Sequence, residues 1–134
     1  MADNAELARV VFNLYSQGRI EELAQHLHPR AVIVPTAEPE AELFGREAIG
    51  EFISDEKVRR WLYEIRGDRF TPIGERWVIV EGRARFSDPE PTGGFHDRST
   101  IWLTEFEGDL LIRSEPMDTV ADAREAVQER GGPA

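Results

Sequence analysis

Residues 69–115 read RFTPIGERWVIVEGRARFSDPEPTGGFHDRSTIWLTEFEGDLLIRSE. Four extended runs stand out within them: RFTPI (69–73), RWVIVEGRARF (76–86), RSTIWLTEF (98–106) and LLIRSE (110–115). Their β-branched and aromatic residues suit a pleated, half-buried surface. The breaks between them are Gly74-Glu75, Ser87–Gly94 and Glu107-Gly108-Asp109. Such breaks carry turn chemistry and imply antiparallel hairpins.

Upstream the period changes. Leu7, Val10, Val11 and Leu14 fall on one helical face. Asp3 or Asn4 is placed to cap this helix, Glu6 stands where a capping-box partner of Asp3 belongs, and Gly18 is a natural stop. A short second helix with Ile20, Leu23 and Leu27 on one face ends before Pro29. AVIVP (31–35) reads as a strand closed by proline, and TAEPEAELFG (36–45) as a loop. Helical spacing returns from Glu47 with Ala48, Ile49 and Phe52. After a cap at Ser54 or Asp55 it continues through Val58, Trp61, Leu62 and Ile65, to end at Gly67. DTVADAREAVQER (118–130) closes the pattern as a short helix. Helices followed by a meander define an α+β fold, a curved sheet with helices packed on one face.

The 134 residues, with 40% apolar content and three tryptophans, suit one domain with one core spanning residues 1–134. No repeat, low-complexity block or linker divides them. The chain has no cysteine, so it offers no disulfide, thiolate nucleophile or cysteine-built metal site. The start MADNAELARVV lacks a basic segment followed by an apolar one, and no apolar run is long enough to span a bilayer. A cytoplasmic protein is expected. The net charge of −10 repels phosphate backbones and anionic headgroups, so neither nucleic acid nor membrane is expected as a partner. The basic stretch VRRWLYEIR (58–66) is flanked by acids and reads as a solvated helix face.

Four segments in order resemble one superfamily. They are a helix ending Ser16-Gln17-Gly18, a short helix ending His28-Pro29 with the strand AVIV after it, FGREAI (44–49), and the closing hairpin EGDLLIRSEPMD (107–118). This order is similar to that of SnoaL-like proteins of the NTF2-like superfamily, and it covers nearly the whole chain. The resemblance implies a cone-shaped fold, a mostly antiparallel curved sheet wrapped around N-terminal helices. It implies a small apolar molecule as ligand, no cofactor, and a homodimer formed through the outer sheet face. The superfamily holds polyketide cyclases, ketosteroid isomerases and epoxide hydrolases, so fold membership alone leaves the reaction open.

The isomerases place a general-base aspartate just after the first strand, where this chain has Pro35 or Thr36, and their helix tyrosine aligns with Val11. The epoxide hydrolases hold a water between two carboxylates bridged by an arginine. Glu115 matches one of those positions, with glutamate for aspartate. Glu81 and Arg83 substitute for the other two in reversed order. Strand alternation puts Glu81, Arg83 and Arg85 on one face and Leu111, Arg113 and Glu115 on another. If both faces line the cone, Glu81, Arg83 and Glu115 form a catalytic acid/base set, because an arginine holds one carboxylate ionised while an apolar wall keeps the other protonated. The same three residues equally fit a structural ion pair.

For substrate binding the candidates are Tyr15, Trp102 and His96. Trp102 lies mid-strand between Thr100 and Thr104 and is assigned to the cone wall, though a one-residue slip would turn it away. Tyr15 either points its hydroxyl into the cone or packs flat with it in water. His96 follows a glycine-rich turn and cannot easily bond its neighbour Asp97, since adjacent strand residues face opposite ways. No His, Asp or Glu cluster has metal spacing, and PTGGF lacks the setting of a phosphate loop. Three functions remain: a cofactor-free isomerase, cyclase or hydrolase on a small oxygenated apolar molecule, a non-catalytic ligand-binding or dimerising module, or a protein-interaction module resembling the transport-factor branch.

Overall fold

The structure, a computed structural model, describes residues 3–36, 40–55, 62–87 and 94–131. Helix α1 runs Asn4–Ser16; the Asp3 carboxylate accepts from the Glu6 backbone N–H at 2.8 Å, and Leu7, Ala8, Val11, Phe12 and Leu14 are buried. Gly18 then turns the chain with φ 70°, in the left-handed region where glycine is strain-free. Helix α2 (Ile20–Gln25) is shorter than its apolar spacing predicts, and strand β1 (Leu27–Ile33) begins earlier than expected. Sheet pairing explains the shift. Leu111 N donates to His26 O at 2.8 Å, and Leu27 registers with Leu111, drawing the chain out of the helix. Pro29 falls where the register shifts between Leu27 and Val32, so its missing N–H disturbs a ladder that is already irregular.

A two-residue strand β2 (Leu43–Phe44) leads into helix α3 (Arg46–Ser54), which buries Ile49 and Ile53. Strand β3 (Leu62–Ile73) corrects the helix expected through Leu62 and Ile65; Val58 and Trp61 of that reading lie outside the described residues. Non-local pairing overrides the local period there. Ile65 registers with Ala84, its carbonyl accepts from Ser16 Oγ at 2.5 Å, and Gly67 sits opposite Gly82 mid-strand rather than ending a helix.

Strands β4 (Trp77–Ser87), β5 (Phe95–Glu107) and β6 (Leu110–Met117) complete the meander, with Gly74 and Gly108 at positive φ in the two tight turns. The sheet order is β2-β1-β6-β5-β4-β3, antiparallel throughout except for the parallel β1–β6 pair. The sheet curves without closing.

Its inner face carries Ile65, Val78, Val80, Ala84, Phe86, Trp102, Phe106 and Leu111, packed with the buried residues of α1, α2 and α3. Each large side chain buried there is worth roughly 1.5–3 kcal/mol of transfer free energy. The Phe12 ring meets the edges of Phe70 (5.9 Å) and Trp102 (5.1 Å) in T-shaped contacts, tying α1 to the sheet. Helix α4 (Val120–Glu129), capped by Thr119 Oγ1 accepting from Asp122 N at 3.0 Å, corrects the expectation of helices on one face only. It lies on the outer face, where Ala123 and Val127 join Trp77, Ile79 and Leu103 in a second core.

Candidate functional site

The concave face and the three N-terminal helices line an apolar cavity of about 90 Å³ that opens to the surface. α1 contributes Val11, Phe12 and Tyr15; α2 and α3 add Leu23, Ile49, Phe52 and Ile53. The sheet supplies Leu27, Ile33, Leu43, Ile65, Trp102, Leu111 and Ser114, and the segment after β1 supplies Val34, Pro35 and Thr36. Most of these are the periodic apolar positions that the sequence marks as core. The cavity is the part of that core which the side chains leave unfilled.

Polar chemistry on this wall is sparse. It comprises the hydroxyls of Tyr15, Thr36 and Ser114 and the Trp102 indole N–H. The indole donates to Thr36 Oγ1 at 2.9 Å, which fixes the rotamer of a large wall residue and holds the Val34–Thr36 segment over the sheet. Trp102 and Tyr15 therefore stand on the cavity wall. Thr104, on the same strand face as Trp102, spends its buried hydroxyl on Val78 O at 2.8 Å. Among the described residues, the wall bears no carboxylate, imidazole, ammonium or guanidinium. His96 registers opposite Phe86 on β5, and its side chain lies outside the described residues.

The expected acid/base set is placed elsewhere. Glu81 registers with Ile101 and Arg83 with Ser99, on the face opposite Val80 and Trp102. Both line an outer groove with Asp68, Arg69 and Asp118. Glu115 registers with Leu103, also on the outer face, and its side chain is 13% exposed. Its carboxylate accepts from Arg113 at 3.3 Å and from the Arg130 guanidinium beyond α4. Glu42 also approaches Arg113, at 3.6 Å. Burial pushes the Glu115 pKa up, but the two arginines outweigh it and hold the carboxyl below the usual glutamate range. The expectation that Glu81, Arg83 and Glu115 converge in the cone is thus corrected. Alternation groups residues by face without saying which face is concave.

A second error compounds the first. Between Glu105/Arg113 and Phe106/Leu111 the register shifts, leaving Ile112 as an extra residue on β6. Leu111 consequently lines the cavity while Arg113 and Glu115 face outward, although strict alternation groups all three. Phe52, marked in the sequence only as a periodic apolar position, and Thr36 and Ser114 are wall residues that the expected site did not include. A hydroxyl residue just past a β-branched strand was the one available signal for Thr36.

Among the described residues, no group of three or more His, Asp or Glu is arranged to hold a metal ion, and no helix is long and apolar enough to cross a membrane.

Neither protein-family models nor curated proteins give a match to this chain. Solved structures do. An NTF2-like protein of unknown function from Burkholderia pseudomallei superposes with a TM-score of 0.70 at 18% identity, over 96% of this chain and 97% of that one. A proposed SnoaL-like polyketide cyclase from Shewanella denitrificans gives 0.65 at 13% identity, over 90% and 96%. TerC, crystallised with polyporic acid, gives 0.70 at 18% identity, over 95% and 99%. At such identities the likeness is one of architecture, and the architecture of this chain is the NTF2-like fold of the SnoaL-like proteins.

Proposed function

We propose that this protein binds a small, uncharged, mostly apolar molecule inside the cone, as a ligand-binding module rather than through the acid/base set of Glu81, Arg83 and Glu115. The observation that carries this reading is the composition of the described cavity wall: aliphatic and aromatic surface with three hydroxyls and no charged group. Such a wall gains by covering apolar ligand surface, and it fixes orientation with a few polar contacts. An ionised ligand would lose its hydration there with no counter-charge in return. Tyr15 and Ser114 are the groups that would meet a ligand oxygen, and Trp102 would stack against its ring. TerC, of similar architecture, was crystallised with polyporic acid, a small organic molecule, which is in keeping with this reading.

Calorimetric titration with 2-naphthol and with 2-naphthoate, which share a ring system and differ in charge near pH 7, tests the reading. Saturable binding of the naphthol, at least about tenfold tighter than the naphthoate, is expected from the cost of burying an unpaired carboxylate. Recovery of the naphthol unaltered by mass spectrometry would fit a binding module. Equal affinity for the two, or no saturable binding of either, would overturn the reading.

A further inference from the structure

Beyond the reach of α4, the outer face carries three successive cross-strand rows on β3, β4 and β5. The first is Glu64, Arg85 and Asp97; the second Arg66, Arg83 and Ser99; the third Arg69, Glu81 and Ile101. In the outer two rows an acid stands directly opposite an arginine. The middle row sets two guanidinium groups opposite each other, an arrangement that destabilises a sheet unless something anionic lies between. Arg66 turns aside to Asp68 at 3.0 Å, and Arg85 pairs with Asp97 at 2.8 Å. Among the described residues Arg83 has neither an ion-pair nor a hydrogen-bond partner. Glu64, Arg66, Arg83, Arg85 and Asp97 line a depression of about 100 Å³. Among the described residues the acids around it are Glu64, Asp68 and Asp97; Asp68 is paired with Arg66 and Asp97 with Arg85, which leaves Arg83 as the guanidinium of the group without an ion pair.

We propose that this depression binds an oxyanion of the phosphate or sulfate type, held between Arg66 and Arg83. A tetrahedral oxyanion presents separate oxygens to guanidinium groups on neighbouring strands, and charge-assisted bonds of this kind are the strong ones. Bound there, it turns the repulsive row into an attractive one. Asp97 accepts its hydrogen bonds from Arg85 and only feels the charges of Arg83 and Arg66 from a distance, so the donors of Arg83 stay open to a ligand. The site lies on the sheet face opposite the cavity and does not depend on what the cone binds.

The test is a titration of the full chain with inorganic phosphate at constant ionic strength set by chloride, following the Arg66 and Arg83 Nε–H resonances by NMR. Saturating shifts at both are expected, with acetate weaker and chloride linear. Arg83→Gln should weaken phosphate binding by about tenfold or more, the loss of one charge-assisted hydrogen bond. Arg124→Gln, which removes the same charge from the exposed side of α4, should leave it unchanged. A folded Arg66→Gln variant serves if Arg83→Gln disturbs the sheet. Shifts that fail to saturate with phosphate, or an equal loss in Arg124→Gln, would overturn the site. Soluble phosphate esters and lipid headgroups share this chemistry. Co-sedimentation with phosphatidylglycerol vesicles that is abolished by Arg83→Gln assigns the site to a headgroup, and phosphate binding without vesicle binding assigns it to a soluble ester.

Discussion

The Trp102 indole N–H and the Thr36 hydroxyl meet at 2.9 Å across 66 residues of sequence, the one polar clasp between the cavity wall on β5 and the segment that follows β1 among the described residues. Removing the acceptor strands a buried donor. Thr36→Val is therefore expected to lower stability by about 1–3 kcal/mol, the cost of an unsatisfied buried group, whereas Thr36→Ser retains the bond and most of the stability. Urea unfolding of the two variants gives the comparison. Equal losses in both would assign the effect to packing of the threonine methyl.

Ser114 faces the cavity from β6, where a larger side chain can only project into free space. Ser114→Leu should abolish naphthol binding, or weaken it by at least about tenfold, while leaving thermal stability within a few degrees, because filling an existing void removes the ligand's room without forcing the core apart. Calorimetry on a variant with an unchanged circular dichroism spectrum checks both halves of this expectation.

Glu115 fastens α4 to the sheet through Arg130, and Arg113 on its own strand steadies the same carboxylate. A carboxylate whose folded pKa lies below the unfolded value near 4.5 stabilises the fold above that value. The contribution is lost as pH falls from about 5 through the lower folded value. Thermal unfolding should show this acid-side loss in the wild type and a flatter profile in Glu115→Gln. At neutral pH the same variant should be less stable by about 1–3 kcal/mol, the range for a hydrogen bond to a charged group. A variant profile that keeps the full acid-side slope would assign that slope to other carboxylates.

Two glycines predict opposite outcomes. A Cβ on Gly82 would collide with the Arg66 carbonyl oxygen, inside the β3–β4 pairing, and backbone cannot move aside cheaply. Gly82→Ala is expected to cost roughly 3 kcal/mol, at the upper end for overpacking. Gly50, mid-way along α3, has only open space within 4 Å of where a Cβ would stand. Gly50→Ala should stabilise by about 0.5–1 kcal/mol through helix propensity alone. Denaturation midpoints for both settle the signs.

The sequence carried the architecture well and the site poorly, for a physical reason. Helix α1, its Asp3 cap and the meander from Trp77 to Met117 follow from local periodicity and turn chemistry, and these are properties of short segments. The start of β3 does not. Leu62 and Ile65 fit a helical spacing, and only pairing with β4 makes them strand. The placement of Glu81, Arg83 and Glu115 depends on which sheet face receives the N-terminal helices and which receives α4, a relation among elements far apart in sequence. Trp102 was assignable because its threonine neighbours share its face, yet its partner Thr36 lies on a segment whose course the pattern does not define.

The open sheet has a kinetic consequence. β3 is an edge of 12 residues with no strand beyond it among the described residues, long enough to template the addition of another chain. Its sequence works against that: Glu64, Arg66, Asp68 and Arg69 put charge along the edge, the register breaks between Gly67 and Arg69, and Pro72 withholds an N–H near its end. At the other edge β2 is two residues long, too short to seed a ladder. The charges along β3 thus oppose the edge-to-edge addition of a further chain, a role separate from any they have in binding.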